Sequence, residues 1–197
     1  MAAVIESLEA SGFVDRCQIV RAKSRFVLER GDDHWQHEPF LYAVRKGTTR
    51  HWQGARDQAT LWSTTTGGDE DAATVHGTQK PVECMRRPMV KSSARSDAVH
   101  EPFCGSGSTI VAAETTGRIC YAMDVDAHYV DVAFERWQRI TGKSALLAGK
   151  ERTFSDMSAC PCAPGKSSAR KIAVVIAPQA CMVALSALFG SACSPSS

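Results

Sequence analysis

Neither a strong net charge, nor a disulfide framework, nor a leader, nor a clean membrane-length apolar run is present in this sequence. Each absence narrows the choice of function. The formal net charge is +2 over 197 residues, so whole-chain charge says little for or against a polyanionic partner. Of the eight cysteines, Cys17, Cys84, Cys104 and Cys120 stand singly among apolar or helical neighbours, the usual setting of buried reduced thiols. Cys160-Pro161-Cys162 is a close pair with no second pair at zinc-site spacing, so no metal site is expected. No charged-then-apolar leader opens the chain, and the expected compartment is the cytoplasm. Ile172 to Phe189 reaches the lower limit of a membrane span in length, but Pro178 and Gln179 interrupt its middle. A membrane partner is therefore not the expected reading.

What is present is concentrated between Ala98 and Val130. A short apolar run, Ala98-Val99, enters a turn made of Phe103-Cys104-Gly105-Ser106-Gly107. The spacing predicts a helix over Ser108 to Thr116, stopped by Gly117, then a second apolar run from Ile119 to Met123 that ends on Asp124. This is strand, glycine turn, helix, strand, acid: half of a nucleotide-binding βαβ unit. Gly105 and Gly107 permit positive φ and close approach of a ligand, and free N–H groups at the helix start suit an electron-rich one. Asp124 stands where such units place the acid that binds ribose hydroxyls. No lysine follows the glycines as a phosphate-gripping loop requires, and the third glycine of a dinucleotide fingerprint is missing. Glu101, just before the turn, would repel a pyrophosphate but attract a cationic or amino-bearing cofactor. S-adenosylmethionine, with its sulfonium, α-amino group and ribose, fits this pattern better than NAD or ATP.

Glu101-Pro102-Phe103-Cys104-Gly105-Ser106-Gly107-Ser108-Thr109 resembles the Asp-Pro-Phe-x-Gly-Ser-Gly-Thr-Thr cofactor motif of amino-group DNA methyltransferases. His76-Gly77-Thr78-Gln79-Lys80-Pro81 resembles their His-Pro-Thr-Gln-Lys-Pro segment. In permuted members the second motif comes immediately before the first, as it does here. The resemblance is to phage-type N6-adenine or N4-cytosine methyltransferases and covers about residues 2–156. It implies an α/β, Rossmann-like sheet and methyl transfer from S-adenosyl-L-methionine to an exocyclic amine of double-stranded DNA, as in restriction-modification. It implies that Glu101, Gly105 and Gly107 hold the methionine part, Phe103 packs by the cofactor and Asp124 binds the ribose, with Thr78, Gln79 and Lys80 completing the pocket. Glu101 in place of Asp keeps a carboxylate, Ser108 in place of Thr keeps a hydroxyl, and Gly77 in place of Pro loosens a turn.

The N-terminal part reads as a short helix, Ala2 to Ala10, ended by Gly12, then a strand from Phe13 to Lys23. A chain that starts so close to a structured element looks entered part-way through a fold. Phe26-Val27-Leu28 and Phe40 to Val44 are expected as two strands joined by a polar, aromatic loop. His34, His37 and Glu38 allow a metal-site reading, but helical context is absent and Pro39 follows directly, so a hydrogen-bonded loop is preferred. The family resemblance makes Trp35, His37 and Glu38 candidates for lining the target-base pocket. Arg16 to Arg56 holds nine Lys/Arg against four Asp/Glu, interleaved with tryptophans. Arg45, Lys46, Arg50 and Arg56 are candidate phosphate contacts, with an ordinary solvated face as the plainer alternative. A short strand is expected at Ala59 to Trp62, and a helix from Pro81 to about Lys91 with Thr78 as its cap and Pro88 distorting its end. A further helix should run from Asp126 to Thr141, apolar through Tyr129, Val130, Val132, Ala133, Trp137 and Ile140 and closed by Gly142.

The family's second motif, Asp/Asn/Ser-Pro-Pro-Tyr/Phe, accepts hydrogen bonds from the target NH₂ and stacks on the flipped base. No Pro-Pro pair occurs in this sequence. The expectation is an incomplete, permuted methyltransferase domain over residues 1–147. Residues 1–75 would be the remnant of the target-recognition half, 76–147 the cofactor half and 148–197 a divergent, poorly ordered tail. A second chain supplying the missing motif, or a non-catalytic cofactor- or DNA-binding remnant, stays open.

Overall fold

Two βα-rich units are built from these runs, divided at Ala94/Arg95. The structure, a computed structural model, describes residues 2–24, 26, 28, 30–48, 52–63, 79–147, 152–158, 172–177 and 180–183, and for 157, 158 and 172–183 the backbone alone.

In the first unit, helix α1 (Ala2–Ala10) buries none of its residues. Gly12, at φ +82°, turns the chain into β1 (Phe13–Ala22), which pairs antiparallel with β2 (His37–Arg45) from Phe13↔Arg45 to Ala22↔His37. Strand β3 (Leu61–Ser63) adds in parallel on the other side of β1, giving the order β2-β1-β3. Of the two strands expected at Phe26 to Leu28 and Phe40 to Val44, the second forms and is longer, and the described residues of the first are not in a strand. Phe26 and Leu28 lie outside regular structure and are exposed, and β2 takes the longer β1 as its partner. Three apolar residues cannot offer the nine-residue ladder that β1 offers. Pro39 sits within β2, which is an edge strand and so has a side that needs no amide donor. Helix α2 (Val82–Ser92) starts at Pro81, which takes the cap position without a side-chain bond. Thr78, expected as that cap, lies outside the described residues. Pro88 is carried inside the helix, not at its end. Trp62 is buried under the cationic ends of Arg87 and Lys91, at 5.6 and 5.1 Å from its ring.

The second unit opens with β4 (Ala98–Glu101), helix α3 (Ser108–Thr116) and β5 (Ile119–Asp124), β4 and β5 being parallel from Ala98↔Ile119 to Glu101↔Ala122. Gly117 ends α3 in the left-handed conformation. Helix α4 (Ala127–Thr141) is capped by the Asp126 carboxylate, which accepts from the His128 amide, and closed by Gly142. It buries Val130, Ala133, Phe134, Arg136 and Trp137, whereas Ile140 is exposed. Strand β5 alternates Cys120, Ala122 and Asp124 inward with Tyr121 and Met123 outward, as period two requires. In the stretch 148–197, expected as a divergent, poorly ordered tail, the described residues carry helix α5 (Phe154–Ser158) and strands β7 (Ile172–Ala177) and β8 (Ala180–Val183). With β6 (Leu146–Leu147) they complete a sheet in the order β4-β5-β7-β8-β6, β7 running antiparallel to β5. Among the described residues no helix is long and apolar enough to cross a membrane.

Candidate functional site

The glycine turn between β4 and α3 is shaped by acids that bond to its backbone. Glu101 ends β4, and its carboxylate accepts from the Phe103 amide at 3.0 Å and from the Thr109 hydroxyl at 2.7 Å. One carboxylate thus spans the turn from its entry to the first turn of α3. Asp124, at the end of the neighbouring parallel strand, accepts from the Gly105 amide at 2.8 Å through Oδ2 and from the Asp126 amide at 3.0 Å through Oδ1. The Cys104 amide donates to the Met123 carbonyl at 2.9 Å, tying the same two stretches together. Parallel pairing of β4 with β5 is what brings Glu101 and Asp124 to one end of the sheet, the end where open α/β sheets bind ligands.

The corner stays open. Gly105 has φ +51°, and a Cβ built on it would meet nothing within 4 Å among the described residues. Phe103 is 85% exposed, a large apolar ring left in water beside the turn. Below the corner the packing is tight, with Ser106, Ser108, Thr109 and Cys104 all buried. Burial pushes the Cys104 thiol up to about 12, with the nearby Cys120, Glu101 and Asp124 adding to it, so it stays protonated. Burial likewise pushes Cys120 up to about 12. These thiols are inert packing, not nucleophiles.

The structure therefore brings Glu101, Phe103, Gly105, Gly107 and Asp124 together on one turn. In the first unit Glu38 is engaged with charges: Arg21 Nη1 and Lys80 Nζ each lie 2.8 Å from its carboxylate and Lys23 Nζ lies at 4.0 Å. Burial pushes the Glu38 carboxyl up, but the hydrogen bond from Lys80 and the charges of Lys80, Arg21 and Lys23 outweigh it and hold it below the ordinary value. Trp35 is half exposed and tilted against His37 at 4.9 Å. Among the described residues, Gln79 Oε1 is buried with no bonding partner. Arg45, Lys46 and Arg56 are exposed, with Arg45 over the Phe13 ring at 5.9 Å. Thr78 and Arg50 lie outside the described residues. No group of three or more His, Cys, Asp or Glu converges among the described residues. Sequence reasoning passed over Thr109 as a partner for Glu101, although a hydroxyl eight positions after a carboxylate across a turn was there to be read. It also passed over Arg136, whose charge sits on an otherwise apolar helix face.

Comparisons with known proteins give the family and the fold. The family model described as DNA methylase, for N6 and N4 methyltransferases, matches residues 19–135. The Type II methyltransferase M.HinfI of Haemophilus influenzae is 31% identical over 99 residues, covering 47% of this chain and 28% of that protein. M2.DpnII of Streptococcus pneumoniae is 36% identical over 61 residues, 31% of this chain and 23% of that protein. Among solved structures, the M1.HpyAVI–SAM complex superposes with TM-score 0.60 at 24% identity, covering 68% of each chain. Thermus thermophilus TTHA0409, complexed with S-adenosyl-L-methionine, gives 0.52 at 19%, covering 70% of this chain and 58% of that one. At those identities the structural likeness speaks for the fold. The chain spans less than a third of the length of the curated relatives it matches.

Proposed function

Since the chain belongs to the N6/N4 DNA methylase family, we propose that its glycine corner binds S-adenosylmethionine and serves methyl transfer to adenine N6 or cytosine N4 of double-stranded DNA. The observation that carries this reading is the open turn at Gly105, whose amide is held 2.8 Å from the Asp124 carboxylate. A Cβ-free, left-handed corner beside an acid has the shape and the donor set that an adenosyl-amino acid needs. The cofactor supplies an electrophilic methyl group when bound.

The protein's residues bind and orient it. An ionised carboxylate has about four acceptor positions, so Asp124, which uses two on Gly105 and Asp126, keeps capacity for ribose hydroxyls. Glu101 holds the turn through Phe103 and Thr109 and sets a negative charge where an amino group or sulfonium is favoured. Phe103 gains from being covered, since a large exposed ring is buried when a ligand lies on it. Gln79 keeps the cofactor role that the family resemblance gives it, together with Thr78 and Lys80. For the DNA, exposed Arg45, Lys46 and Arg56, with Arg50, are assigned to phosphates, and Trp35 and His37 to the target base. Glu38 is assigned to bracing them through Arg21 and Lys80.

A second reading, a non-catalytic binding remnant, is favoured by one observation: the chain has no Pro-Pro pair with which to receive the target amine. Incubation with tritiated-methyl cofactor and unmodified double-stranded DNA separates the readings. Label in DNA from this chain alone establishes the enzyme. Binding of cofactor without label from this chain alone supports the remnant, and failure to bind the cofactor removes the enzyme and leaves only a DNA-binding remnant.

A further inference from the structure

The glycine corner rests on α4. Gly107, at φ +79°, lies so close to that helix that an added Cβ would come within 2.9 Å of the Ala133 Cβ. One turn further along α4, the buried Arg136 reaches back to the same segment. Its Nη1 donates to the Ser106 carbonyl at 3.1 Å and lies 3.0 Å from Ser108 Oγ and 3.3 Å from Ser106 Oγ. The acceptors flank Gly107 on both sides. A guanidinium stays charged when buried and carries its donors in a rigid plane, whereas an ammonium's donors turn freely at the end of a flexible stem. Holding a charge in the interior is unfavourable unless polar groups satisfy it, so the Ser106 and Ser108 oxygens and the arginine each require the other.

We propose that Arg136 is a positioning residue for the corner: it clamps Ser106-Gly107-Ser108 onto α4 and thereby holds Gly105 and Gly107 in their left-handed conformations, with the start of α3 facing the ligand. It touches no ligand itself. Its consequence for binding rests on the cofactor reading above; the clamp itself does not.

Native-state amide exchange on the ligand-free chain tests the clamp. In Arg136→Met the Gly105 and Gly107 amides should exchange at least about tenfold faster, while the Arg118 and Gly142 amides, bonded elsewhere in the unit, keep their rates. Arg136→Lys should restore part of the protection. In calorimetric titration the Met variant should bind S-adenosylmethionine at least about tenfold more weakly than wild type, with Lys between them. Equal acceleration at all four amides would make Arg136 a packing residue and overturn the proposal, as would unchanged exchange at Gly105 and Gly107. Should Arg136→Met not fold, Ser108→Ala, which keeps the arginine and deletes one acceptor, should speed Gly107 alone by about threefold, and no change there overturns it. If wild type fails to bind the cofactor, the cofactor reading fails while the exchange result still decides the clamp.

Discussion

Gly12 in the first unit and Gly107 in the second have nearly the same backbone, φ +82° and +79°, and opposite surroundings. Nothing lies within 4 Å of a Cβ built on Gly12, whereas one built on Gly107 would collide with Ala133. The acids differ in the same way. In the first unit Glu38 pairs with the charged side chains of Arg21 and Lys80. In the second, Glu101 and Asp124 bond to backbone amides and to a hydroxyl. One unit uses charge to hold strands and segments to each other; the other uses it to shape a piece of main chain and leave it open. A turn built from backbone amides is what the proposed adenosyl ligand would read.

The sharpest way to break this contrast is to put the same methyl group on both glycines. Gly107→Ala combines a strained φ with a collision and should lower stability by about 2–4 kcal/mol in denaturant titration. Gly12→Ala, strained but uncrowded, should lose only about 1 kcal/mol. Equal losses would mean that the packing of Gly107 on α4 carries no weight. A smaller effect is expected at Glu38. Glu38→Gln should cost about 1–2 kcal/mol at neutral pH. Because the folded carboxyl titrates below its ordinary value, its stabilisation is present above the unfolded pKa of about 4.3 and is lost as pH falls through the lower folded value. The variant should therefore lack that part of the acid limb of the stability curve, and a superimposable limb would refute the pairing. The smallest effect is one of reactivity. Iodoacetamide at pH 8 should leave Cys104 and Cys120 unlabelled in the native chain and modify both in denaturant, read by peptide mapping. Native labelling of Cys104 would show that the corner's floor is not packed.

Legibility in the sequence followed the range of the interaction. Helix α3 begins at Ser108 and stops at Gly117 as expected, because glycine conformation and apolar spacing act within a few residues. Asp124 stands beside Gly105 because a parallel βαβ unit allows the acid little choice of place. What was not legible depends on partners far along the chain. β2 pairs with β1 across a long loop, while Phe26 and Leu28, expected in a strand, lie outside regular structure. Arg21 reads as a surface cation in a basic stretch and is instead buried against Glu38, seventeen positions on. Arg136 interrupts an apolar face, and its reason lies 28 to 30 positions earlier in the corner it clamps. Strand β7 joins β5 through Ile172–Ala177, whose β-branched residues are a strand signal that was read only as part of a longer apolar run.

The central claim is that the turn from Phe103 to Gly107, with Asp124 behind it, is a methyl-donor site. Calorimetric titration of S-adenosylmethionine into wild type and Asp124→Ala tests it most directly. The account predicts stoichiometric binding to wild type and an affinity at least about tenfold weaker in the variant, the loss of one charge-assisted ligand contact together with the Gly105 brace. Equal affinities in the two proteins, or no binding to either, would contradict it.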